Sequence, residues 1–233
     1  RHNVKVVNEI KTGWLDGKVD SDATAEMLET LRYAPPVEAS GKAIELLNRG
    51  VAPRSLFDAF FDCSGELMMR ARGILSLHAT TFTNALHYSW QHCRDEETRK
   101  LLLLQNASFL PLFRGERKAG VRIDELQPAS ASVTIEEVFA EVSKSKGNAS
   151  QKILRYLQDS KNPNEFADAA RRLIFLKGTN SHDYKYSSAV LEDYHAMHPK
   201  WRDRFLAATS YYFKGSSDRD SKLVTRIREA FKS

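Results

Sequence analysis

Two cysteines in 233 residues are too few for a disulfide framework or a cysteine-based zinc site. Cys63 and Cys93 each fall inside a helix-like segment and read as two buried thiols. Seven prolines and eleven glycines exclude collagen-like and low-complexity chains, and 28% charged residues with 10% aromatics exclude a wholly disordered one. Long hydrophobic runs are missing as well. No uninterrupted apolar stretch exceeds four residues, as at Leu101–Leu104, against the ~18 that a membrane helix needs, so the chain reads as soluble with no membrane span. It carries no G-x-S-x-G, P-loop, G-x-G-x-x-G or H-E-x-x-H, so hydrolase, nucleotide and dinucleotide readings lack their signatures. The chain begins with Arg1 rather than Met, which suggests an upstream segment removed; no signal-peptide-like apolar region is visible, and localisation stays open.

The net charge of +5 is local. Residues 200–233 hold nine Lys+Arg and four Asp+Glu, which accounts for the whole excess, so the chain does not read as a nucleic-acid binder. What fills the sequence instead is helical period. Asp20, Ser21 or Asp22 can cap ATAEMLETLRY, which ends at Pro35 and Pro36; the next helix runs from Val37 to Leu47 and stops at Gly50. After Pro53 and a Ser55 cap, Leu56, Phe60, Cys63, Leu67 and Arg70 recur at spacings of three and four. Beyond Gly73, ILSLHATTFTNALHYSWQHC has scarcely a charge, which predicts a central helix buried on most sides. Asp95 caps the next helix, which Pro111 kinks or ends.

Residues 115–133 read as a loop excursion and as the place for any subdivision of the chain. Helices resume with a Thr134/Glu137 capping box, and five more segments follow to Phe231. The expected fold is all-α: a single-domain orthogonal bundle of about ten helices over residues 1–233. Nothing in the sequence sets an oligomeric state.

The chemistry-bearing residues are the histidines. His78, His87 and His92 share the uncharged helix, but His78 and His92 lie ~21 Å apart along it and His87 falls on the far side from His78, so one ion cannot take all three from a straight helix. His182 and Lys185 are at i and i+3 after the Asn180/Ser181 cap, hence on one face. A lysine buried beside imidazoles would tend to be neutral, able to act as a base or to add carbon dioxide and become an anionic oxygen ligand. Glu192 and His195 form a single E-x-x-H; di-iron bundles need two, so this pair reads as surface.

Two of these stretches carry a resemblance. LHATTFTNALHYSWQHCRDEETRKLLLLQNASFL resembles the questin oxidase-like proteins, in which a His-Ala-x-Thr element and an Ala-Leu pair precede a Leu- and Ala-rich helix. Ser181-His182-Asp183-Tyr184-Lys185 is similar to that family's His-x-x-Lys element, and Phe205-Leu206-Ala207-Ala208 to its later alanine row. The resemblance implies an all-helical oxidoreductase acting on aromatic polyketide-type compounds with molecular oxygen, in which histidines and a carbamylated lysine hold a non-haem iron. Carried over by position, His78, His182 and Lys185 are the implied ligands, with Lys185 also the catalytic candidate; His87 is added on chemistry alone. Iron or another transition metal suits imidazoles, and Phe82, Tyr88 and Trp90 offer apolar walls for a flat small-molecule substrate or for haem, the alternative cofactor. His2 is the only histidine before Gly73, where the family carries more. That sets a helical binding or interaction module without catalysis beside the enzyme.

Overall fold

The computed structural model describes residues 1–114, 120–160 and 162–232. Twelve α-helices occur among them: α1 (His2–Val6), α2 (Ser21–Tyr33), α3 (Pro36–Asn48), α4 (Pro53–Arg70), α5 (Ile74–His92), α6 (Glu96–Arg114), α7 (Ile135–Val142), α8 (Lys146–Ser160), α9 (Pro163–Lys177), α10 (Ser181–Ala196), α11 (Pro199–Thr209) and α12 (Lys222–Ala230). The fold is all-α: the described residues contain no strand, only one isolated bridge between Lys18 and Val51. None of these helices is long and apolar enough to cross a membrane.

The starts follow local chemistry. Asp20 accepts from the Asp22 and Ala23 amides at the head of α2, the Thr134/Glu137 box opens α7, and Asn180 accepts from His182 and Asp183 at the head of α10. Proline stands in the first turn of α3, α4, α9 and α11, where its missing N–H costs nothing. Ser55 is not the cap of α4, because Pro53 begins the helix two residues earlier; the buried Ser55 hydroxyl accepts from the Asp20 amide instead. Pro111 sits inside α6, which runs on to Arg114.

The central helix is α4, not α5. From Pro53 to Met69 every residue of α4 except Arg54 is buried, with α2, α5, α6 and α11 packed around it. By contrast α5 buries one side through Leu77, Ala79, Thr80 and Thr83 while Leu75, His78, Ala85, Tyr88 and His92 stay exposed. A helix free of charge is still polar when Ser, Thr, Asn and Gln fill it, and such a surface tolerates water. Gly65 lets α11 approach α4: a Cβ there would lie 3.4 Å from Ala208, Phe205 and Ile123.

Burying α4 brings three carboxyls inward, one turn apart: Asp58, Asp62 and Glu66, each 1–2% exposed. Glu66 is compensated: it accepts from Arg32 Nε at 3.0 Å and from the Ile123 amide at 3.0 Å, and lies against the Arg70 guanidinium. Ile123 and Leu126 are buried, so this part of the 115–133 excursion is packed on the core; residues 115–119 lie outside the described residues. One of the two thiols differs from expectation. Cys63 is buried, but Cys93 follows the last turn of α5 and is partly exposed. At the C-terminal end, α12 buries none of its own residues.

Candidate functional site

The first grouping joins α5 to α10, which pack side by side. Leu77 and Ala79 enter the core at 0% exposure, which leaves His78 on the outer face of α5. Across from it, the Asn180 cap starts α10 so that His182 falls in the first turn. Asp183 locks that turn by accepting from the Thr179 amide at 2.8 Å and pairing with Lys214 at 3.1 Å. The two imidazoles meet edge to face with ring centroids 5.8 Å apart. Two imidazoles sharing one tetrahedral ion at ~2.1 Å per bond would place their centroids ~5.3 Å apart, somewhat inside the observed spacing, which also falls in the ~4.5–7 Å range of ordinary edge-to-face ring pairs.

His78 is exposed and His182 half-buried, and Ile74 and Leu75, one turn before His78 on α5, are 50% and 52% exposed. Lys185 lies one turn along α10 from His182 and is exposed. Among the described residues no group of three or more His, Cys, Asp or Glu side chains is arranged so that it could hold a metal ion.

His87 does not join this pair. Nine residues beyond His78 it is turned by ~180° and displaced by ~14 Å along α5, and it lies in a second grouping. That grouping is a cleft of about 330 Å³ between α4, α5 and α10, lined by Arg54, Phe57, Asp58 and Phe61 on one side and by His87, Trp90 and His195 on the other. Positions 54, 57, 58 and 61 form one stripe of α4 by helical spacing.

The His87 ring sits 4.7 Å from that of Phe57, 5.1 Å from Phe61 and 6.3 Å from Trp90, and burial among them pushes it down to about 4. Trp90 carries the Arg99 guanidinium 4.3 Å from its centroid, while its buried Nε1–H has no hydrogen-bond partner. Asp58 Oδ1 accepts from the His198 amide at 3.0 Å; its buried Oδ2 has no partner. Burial pushes Asp58 up to about 6 against the opposing pull of the His198 amide and the Arg54 charge.

Two neighbours share this condition. Asp62 is fully enclosed with Oδ1 unpartnered, and burial followed by the charges of Asp58 and Glu66 raises it well above the usual carboxylate range. Asp193 on α10 accepts from Asn84 at 2.8 Å, yet its Oδ2 is unpartnered and burial raises it too.

Of the three aromatic residues expected as walls, only Trp90 lines the cleft. Phe82 packs on Phe109 and Phe113 of α6, and Tyr88 is 52% exposed and stacked on His92. Glu192 and His195 are both exposed, as a surface pair should be. Sequence reasoning missed Arg54, Asp58 and Asp62. The signal of the two aspartates was present in LFDAFFD, where they interrupt an otherwise apolar helix at i and i+4 and must be carried inside with it; Arg54 left none. No protein-family model, no curated protein and no solved structure matches this chain.

Proposed function

We propose that this chain is a metal-dependent oxidoreductase in which His78 and His182, with a carbamylated Lys185, hold a non-haem iron and act on an aromatic or other apolar small molecule with oxygen. One observation carries the reading: two histidines 104 residues apart in sequence meet with ring centroids 5.8 Å apart on adjacent helices. Iron bound there would supply the redox and Lewis-acid chemistry. The protein's own contribution is positional. The Asn180 cap and the Asp183–Lys214 pair fix the turn that carries His182, and the exposed Ile74 and Leu75 offer a flat ring an apolar surface beside His78.

The test is metal analysis of the purified chain and of His78→Ala and His182→Ala, with helicity checked by circular dichroism. Neither side chain is buried, so both variants should fold. The expected result is one iron per chain, lost in either variant and restored by added ferrous iron only in the parent. A chain without stoichiometric transition metal, or iron retained in both variants, overturns the proposal. A non-catalytic binding module is the second reading, favoured by the unpartnered Asp58 oxygen in a separate cleft.

A further inference from the structure

The α4–α5–α10 cleft holds two opposite charges, Asp58 and Arg54, that feel each other across one helical turn but form no hydrogen bond or ion pair among the described residues. Asp58 is 1% exposed, lines the cleft and keeps Oδ2 without a partner. Arg54 lies one turn earlier on the same helix, is exposed, and makes no hydrogen bond or ion pair among the described residues. Residues at i and i+4 have Cβ atoms ~6 Å apart, so both groups can reach one small molecule. Between and around them stand the faces of Phe57, Phe61, Trp90 and a buried His87.

A buried carboxylate oxygen with no donor is costly and is satisfied by a ligand that brings one. A plain anion in this cleft would be repelled by Asp58, and a plain cation would be repelled by Arg54. A molecule with an ammonium next to a carboxylate answers both, and a cavity of about 330 Å³ lies within the size range of small-molecule sites.

We infer that this cleft binds a small zwitterion of the α-amino-acid type, its ammonium on Asp58 Oδ2, its carboxylate on Arg54, and its apolar side group against Phe57, Phe61 and Trp90. The site is separate from the His78–His182 pair, on the opposite side of α5, and does not depend on metal.

Three probes sharing one phenyl ring test it: L-phenylalanine, phenethylamine and 3-phenylpropionate, titrated into the whole chain by calorimetry with the Trp90 indole resonance followed by NMR. Phenylalanine should bind at least tenfold more tightly than either single-charge probe. Asp58→Asn, which keeps an oxygen for the His198 amide, should weaken phenylalanine and phenethylamine by tenfold or more and leave 3-phenylpropionate no weaker. Arg54→Gln, at an exposed position, should weaken phenylalanine and 3-phenylpropionate instead. Equal affinity for phenylalanine and either single-charge probe overturns the zwitterion assignment. So does phenylalanine binding that neither variant changes, or the absence of any Trp90 response to all three probes.

Discussion

Two buried titrating groups of the α4–α5–α10 cleft, His87 and Asp58, should act on stability with opposite sign in acid, and two substitutions separate them. His87 is depressed in the folded state, from 6.5 to about 4, so its contribution is intact above pH 6.5 and is lost as the pH falls through 4. Asp58 is raised, from 3.8 to about 6, so its contribution is full below pH 3.8 and is lost as the pH rises through 6. Linkage between pH 7 and pH 5 then gives a loss of about 2 kcal/mol from His87 and a gain of about 1.3 kcal/mol from Asp58, which nearly cancel in the parent chain. The assay is urea unfolding of the parent, His87→Gln and Asp58→Asn at pH 7, 6 and 5, with each variant subtracted from the parent so that titrations common to all drop out. Between pH 7 and 5, His87→Gln should gain about 2 kcal/mol on the parent and Asp58→Asn should fall behind by about 1.3 kcal/mol. Differences that do not change with pH in either variant would refute the reasoning, because they would mean that both groups are solvated as in the unfolded chain.

Other substitutions probe the same interior. Glu66→Ala leaves the Arg70 guanidinium, 5% exposed, without its carboxylate and leaves Arg32 with only Glu29 and Asp124, and should cost about 3 kcal/mol by denaturant unfolding. Because burial raises Asp62, its contribution is present in acid and lost as the pH rises through its folded value; Asp62→Asn should therefore improve on the parent at pH 8 and lose that advantage at pH 4 in thermal melts. At Gly215 an added Cβ would fall 2.1 Å from Ser143 Oγ and 2.8 Å from the Phe139 carbonyl oxygen. Gly215→Ala should cost about 1–3 kcal/mol, with faster amide exchange at Ser216, which donates to Phe139.

The helices were largely legible because their ends are written locally, in Asp20, Thr134, Asn162 and Asn180 caps and in first-turn prolines. The five-residue α1 has no side-chain cap and left no such trace. Which helix lies at the centre was not legible from charge. The acids of α4 are taken inside because Arg32 and Ile123, 34 and 57 residues from Glu66, answer one of them, and no local pattern encodes partners at that range. At the site, helical period correctly separates His78 from His87 and joins His182 to Lys185. The approach of His78 to His182 depends on α5 packing on α10, which spacing cannot give. Asp58 and Asp62 carry no spacing motif of their own: two carboxylates one turn apart inside an apolar stripe match no catalytic or metal-binding pattern.

The most direct test of the iron proposal is site-resolved. Ferrous iron is titrated anaerobically, in the presence of bicarbonate, into the chain labelled at its imidazole nitrogens, and all seven histidines are followed by NMR. The account predicts that His78 and His182 broaden together at one equivalent while His87 stays sharp. Broadening of neither, of only one of the two, or of every exposed histidine alike would contradict it.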